Sequence, residues 1–324
     1  MQFRTKVDIQ AAEQKIHLQS SVMTIGSCFA DVIGAALSGN KFKCLGNPFG
    51  VVYNPYSIHK LLRLACLNDD VEPVGYIQHA DVHLHYDFHS ELSALSKTEL
   101  ATHVRIRISA AHEFIKHAEW LIITYGTAWV YQLNDSKEIV ANCHKMPATL
   151  FNKQLLSQKK IIESFSDLYE ILKQLNPQIK IILTVSPVRH MKDTFQLNNV
   201  SKSALLLSCH TLSSQFKDVS YFPAYEIQMD ELRDYRFYKA DMLHPNEAAE
   251  QYIWERFSAT YFDTNTTQFL SKWKKINQAL QHKAFHRSSA LHQQFLQNLL
   301  TELQEISNIV DVHKEIQQVK SQLL

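Results

Sequence analysis

Two short stretches hold the residue types that covalent acyl chemistry needs. The first is Gly26-Ser27-Cys28-Phe29-Ala30, where the apolar run Val22–Ile25 ends in Gly-Ser and an apolar helical run begins at once. A strand that turns sharply into a helix leaves its turn residue beside unpaired N–H groups, where the dipole favours negative charge. A serine hydroxyl at such a corner is exposed and oriented, and the N–H groups around it can face an oxyanion. The second stretch is Asp241-Met242-Leu243-His244-Pro245. Asp and His three residues apart share one face of a turn. The carboxylate can then accept from imidazole Nδ1–H, leaving Nε2 free to take a proton from Ser27. Each stretch has a plainer reading: Ser27 as a helix cap, Asp241 and His244 as a surface pair. Their combination in one chain points to Ser27 as nucleophile, His244 as base and Asp241 as its orienter. Cys28 is a rival, because a thiolate at a helix N-terminus has a lowered pKa. Consecutive residues at the corner point in different directions, so only one faces His244, and Ser27 is preferred.

The elements that must position these residues alternate. Apolar runs at Val22–Ile25, Phe42–Leu45, Trp120–Tyr125, Lys180–Val185 and Val219–Pro223 read as strands. Helical periodicity covers Phe29–Leu37, Ser57–Leu67, Leu100–His117, Ser157–Leu175, Ser201–Phe216 and Asn246–Tyr261. Val130–Leu133 and Glu138–Ala141 flank Asn134-Asp135 as a hairpin. About five strands alternating with helices predict an α/β domain on a parallel sheet, with its site at the carboxyl ends of the strands. Ser27, Gly126-Thr127 and Ser186 through His190 fall there. The domain is read as residues 1–263. From 264 to 324 glycine, proline and cysteine are absent. Leu296, Leu299, Leu303, Ile306 and Val310 follow 3/4 spacing, and Ile309, Val312, Ile316, Val319 and Leu323 repeat it in a shifted frame. This reads as an amphipathic helical tail with a stutter, serving either to pack on the domain or to self-associate into a homo-oligomer.

Composition narrows the function classes. A net charge of +1 over 324 residues gives no field drawing the chain to nucleic acid or an anionic membrane. No run of eighteen apolar residues occurs, and the first residues lack an apolar signal core, so neither a membrane span nor a secretory signal is expected. The five cysteines are odd in number and form no C-x-x-C pair, so a reduced, cytoplasmic setting is expected. His79, His83, His85 and His89 alternate and read as a solvated strand face rather than a zinc site; no metal or cofactor is expected. All seven glycines lie between Gly26 and Gly126, five of them between Gly26 and Gly50, so tight turns and close approaches are expected in the first third.

Taken together, the motifs resemble the SGNH/GDSL hydrolase superfamily and, within it, the GSCFA family. The resemblance is carried by residues 26–30, Asn47-Pro48-Phe49-Gly50, Tyr53-Asn54-Pro55, Tyr125 to Tyr131, Ala141 to Lys145, Ser186 to His190, Tyr225 to Tyr238 and Asp241 to Pro245. It implies a three-layer α/β/α flavodoxin-like fold and the triad Ser27, His244, Asp241. It also implies an oxyanion hole of the Ser27 N–H, a glycine N–H (Gly50) and an asparagine side chain. The superfamily's G-x-N stands here as Gly126-Thr127-Ala128, so the third donor is either supplied by Thr127, Asn54, Asn142 or His144 or is missing. Losing one such donor costs about 2.7–4 kcal/mol of transition-state stabilisation. Arg189 and His190 are candidates for an anionic or polyhydroxyl group, and His89 for the cleft wall. The implied activity is hydrolysis of an ester or acyl group through an acyl-serine intermediate, with an O-acetyl ester of a carbohydrate or a small-molecule ester as substrate. Acyl transfer to a sugar hydroxyl, or non-catalytic glycan binding on the same fold, are the alternatives.

Overall fold

The computed structural model describes residues 4–282 and 284–324. Strand β1 (Ser21–Gly26) runs through Ser27 into helix α1 (Cys28–Gly39), followed by β2 (Lys43–Gly46) and α2 (Pro55–Leu67). A hairpin, β3 (Tyr76–His79) and β4 (Val82–His85), precedes α3 (Lys97–His117) and β5 (Trp120–Tyr125). Then come β6 (Trp129–Leu133), β7 (Ile139–Val140), β8 (Phe151–Leu155), α4 (Gln158–Leu175), β9 (Lys180–Val185), α5 (Phe195–Gln215) and β10 (Val219–Phe222). A single turn, α6 (Ala224–Glu226), leads to α7 (Glu247–Tyr261), α8 (Thr264–Gln281), α9 (Ala290–Ile306) and α10 (His313–Lys320).

The five-stranded sheet has the order β10-β9-β5-β1-β2, and every pair in it is parallel. Numbering its strands along the chain gives 2-1-3-4-5, the doubly wound order whose switch point lies between β1 and β5. The two-residue period of the strands divides the core. Met23, Ile25, Leu121, Ile123, Ile181 and Leu183 face the side covered by α2, α3, α4 and α5. Val22, Trp120, Ile122 and Ile182 face α1 and α7. This is the expected α/β/α arrangement, with both faces of a parallel sheet covered.

Several local readings change. The histidine-bearing segment between α2 and α3 contains the β3–β4 hairpin, which carries His79, His83 and His85. The 130–141 hairpin forms, and gains β8 as a third strand on the other edge of β6. Helix α5 begins six residues before Ser201, because the Thr194 side chain accepts from Leu197 N and caps an earlier start. The tail is three helices, not one with a stutter, and the frame shift falls on the break between α9 and α10. Its first stripe, Leu296, Leu299, Leu303 and Ile306, joins the core on the α1/α7 side, with Trp273 of α8. Trp273 Nε1 donates to Gly39 O at 2.7 Å, so the tail closes over the end of α1.

Candidate active site

Gly26 makes the corner. Its φ of +137° is open to glycine, and a Cβ there would stand 2.1 Å from Thr124 O. Asn47 fastens the corner from below, accepting from Gly26 N at 2.8 Å and donating to Asp31 Oδ1 at 2.6 Å. Ser27 is extended and begins the helix, but its side chain makes no cap bond. Its hydroxyl is enclosed, 1% of the residue is exposed, and Oγ has no hydrogen-bond partner. This corrects the expectation of an exposed serine. Ser27 Cβ lies against Gly126, where an added Cβ would come within 3.1 Å of it. Each helical residue turns the side chain by about 100°, so the next position, Cys28, is the one that opens on the cleft.

The expected oxyanion donors are largely committed elsewhere. Ser27 N donates to Thr124 O, Gly50 N to Asn47 O, and Gly126 N to Tyr53 O. Gly50 is pressed against His89, which pairs with Glu91 outside this cleft. Asn54 caps α2, accepting from Ser57 N and donating to Ser57 Oγ. His144 is buried, bonded through Nδ1 to Ser90 and through Nε2 to His85 O, and Asn142 reaches the same serine. Burial keeps the His144 imidazole below its ordinary pKa. Gly50, Asn54, Asn142, His144 and His89 are thus held in contacts of their own, and none of them lines the cleft with His244. Burial and the Asp31 carboxylate hold the Cys28 thiol above its ordinary pKa, against smaller opposing effects of the Cys28 and Phe29 N–H groups in the first turn of α1 and of Lys202.

Four expected residues, Thr127, Arg189, His190 and His244, line one cleft of about 420 Å³ together with Cys28. His244 Nδ1 lies 2.7 Å from Asp241 Oδ2, so Nδ1–H donates and Nε2 is left as the acceptor. Asp241 Oδ1 also accepts from Leu243 N and His244 N, around a turn in which Met242 has φ +58°. These N–H groups hold the Asp241 carboxyl down at about 2. The turn is anchored to the loop after β9 by Arg189 N donating to Leu243 O. Arg189 itself is occupied, with Nε on Tyr238 OH and its guanidinium 4.1 Å from that ring centroid. His190 donates through Nε2 to Gly126 O, and burial pushes its pKa down to about 4, so it is neutral at pH 7.

One residue of the site is invisible to motif reasoning. Lys202 is fully enclosed, with Nζ donating to Gly126 O at 2.8 Å and Ser186 O at 2.7 Å. It ties together the loops at the ends of β5 and β9. Burial pushes its ammonium down to about 7. Ser201 accepts from Ala128 N, and Asn198 Oδ1 accepts from His190 N, so one face of α5 holds both loops. The signal was present: Asn198, Lys202, Leu205, Cys209 and Leu212 share helical spacing, which puts a lysine on an apolar face. Among the described residues no group of three or more His, Cys, Asp or Glu stands together as a metal site.

The GSCFA family matches residues 21–257, and a GSCFA domain protein C-terminal domain matches residues 273–324. No curated protein matches the chain. Similar solved structures include a carbohydrate esterase family 3 from Talaromyces cellulolyticus, with 9% identity and a TM-score of 0.35, covering 78% of this chain and 99% of that one. A family two carbohydrate esterase from Clostridium thermocellum in complex with cellohexaose has 12% identity and a TM-score of 0.33, covering 75% and 64%. An acetyl xylan esterase from the rumen bacterium Butyrivibrio proteoclasticus has 12% identity and a TM-score of 0.31, covering 78% and 64%.

Proposed function

This chain belongs to the GSCFA family, and on that premise we propose that it is an esterase-type hydrolase of the SGNH class, working through an acyl-enzyme. One observation carries the reading. The Asp241–His244 pair, with Nε2 left free, shares a cleft with the first turn of α1 at the switch point of a doubly wound sheet. In the proposed reaction a nucleophile from the Ser27–Cys28 corner attacks the ester carbonyl and His244 Nε2 takes its proton. Asp241 stabilises the imidazolium, as an ionised carboxylate on Nδ1 does. His244 then protonates the leaving alcohol and activates the water that clears the acyl group. Ser27 can serve as that nucleophile only after its hydroxyl leaves its enclosure.

The substrate we propose is an O-acetyl ester of a carbohydrate. Tyr53, Trp129 and Tyr131 line the cleft, and an apolar aromatic face with a polar tip suits the faces and hydroxyls of a sugar ring. The test is release of acetate from an acetylated oligosaccharide and from an aryl acetate. Loss of His244 should reduce kcat/KM for both by about 10²–10⁴-fold, the usual share of a positioned acid–base group. Equal rates for wild type and His244→Ala would refute the hydrolase reading. Aryl acetate turnover that climbs with added sugar would direct the acyl group to a hydroxyl instead of water.

A further inference from the structure

The stretch Tyr225 to Tyr238 carries part of the family resemblance but no step of the acyl chemistry. Within it, after α6, the chain widens into a turn whose Leu232 N donates to Ile227 O, five residues back, at 2.8 Å. Widened turns of this kind recur at functional sites. Two polar residues of the turn are buried, and they differ. Glu231 is held by Arg256, Nη1 to Oε2 at 2.8 Å, and by the Tyr252 hydroxyl. Gln228 is 0% exposed, and neither its Nε2 nor its Oε1 has a hydrogen-bond partner among the described residues. A buried amide without partners is destabilising, which directs attention to a partner from outside the chain.

Gln228 lines a pocket of about 420 Å³ together with Tyr225, Tyr235 and Tyr238. The Arg189 guanidinium stands 4.1 Å from the Tyr238 ring centroid and 5.3 Å from that of Tyr235, and the two rings are 6.0 Å apart. Arg189 also lines the cleft of His244, so one side chain borders both spaces. The pocket shares its frame with the His244 turn. Lys239 N donates to His244 O at 2.8 Å, Asn246 N to Phe237 O at 3.0 Å, and Arg189 N to Leu243 O at 3.3 Å. We infer that this pocket takes a neutral sugar unit of the substrate, beside the unit that carries the ester. A carboxamide offers an acceptor and a donor side by side. Oε1 accepts from one ring hydroxyl, and Nε2–H donates to the oxygen of its neighbour. The tyrosines offer apolar faces to the C–H side of the ring and hydroxyls to its edge. Charge selects a neutral ligand, since Asp230 and Asp234 balance Arg189 and Arg233 around the pocket. The unit's place beside an ester rests on the hydrolase reading; the binding of sugar does not.

The test is calorimetric titration of the full chain with short unacetylated β-linked oligomers of glucose and of xylose. Wild type should bind at least one series. Gln228→Met should weaken that binding by about tenfold or more, as loss of a bidentate polar contact does. Its melting temperature should hold or rise, because an unpartnered amide gives way to an apolar chain of like shape. Tyr235→Ala, at a residue 62% exposed, should weaken binding with the fold intact. On an acetylated oligosaccharide, Gln228→Met should raise KM more than it lowers kcat. No binding of either series, or wild-type affinity in Gln228→Met, overturns the inference. So does a lower melting temperature in Gln228→Met, which would mean that the amide is bonded within the fold, or an effect confined to kcat. The hydrolase reading fails separately. Oligomers that bind a chain unable to turn over an aryl acetate would remove the hydrolase and keep the sugar pocket, and turnover without oligomer binding would remove the pocket alone.

Discussion

At the scale of single residues, the site turns on where each polar group finds its partner. The Asp241–His244 pair is legible in the sequence because a three-residue separation on a tight turn dictates contact. The fate of Ser27 was not, because which of two adjacent side chains enters a cleft depends on a neighbour 99 positions away, Gly126, against which Ser27 packs. Lys202 is the least legible, since a lysine is ordinarily a surface residue. It also makes a measurable signature. Its folded pKa near 7 lies below the roughly 10.4 of an unfolded lysine. Between those values the unfolded chain holds more protons, so this residue makes stability rise with pH across the window and fall as pH drops through 7. Lys202→Met should therefore flatten the difference in urea midpoint between pH 7 and pH 10. A variant with the wild-type slope would contradict the assigned burial.

At the scale of elements, the strands and most helices follow from apolar period alone, since each sheet strand carries side chains to two buried faces. What the period does not reveal is how far a cap extends a helix, as at Thr194, or which edge a third strand joins, as β8 does on β6. The tail shows the same division. Its apolar stripes are plain in the sequence, whereas their partner is set by tertiary contact. The first stripe lies against the core of the same chain, and Lys41 stands 4.9 Å from the centroid of the Trp273 ring. We propose that these helices serve the monomer's stability more than self-association. Trp273→Ala should cost about 3–5 kcal/mol by urea titration, with no change of mass in light scattering. A loss below about 1 kcal/mol, the range of a surface substitution, would mean that the tail is not docked as described.

At the scale of the whole molecule, the site is where a doubly wound sheet offers one. β1 and β5 diverge at the switch point, and the loops after β1, β5 and β9 meet the 238–245 turn around a single cleft. The aromatic and cationic walls of that cleft come from Tyr53 before α2, from β6 and β8, and from the loop after β9, where Arg189 and His190 already stand out in the sequence. The central claim is that this cleft takes an acyl group covalently with His244 as base. Mixing wild type with excess aryl acetate in stopped flow tests it most directly. The account predicts a burst of about one aryl alcohol per chain before steady turnover, absent in His244→Ala. Equal traces from the two proteins, without a burst, would contradict it.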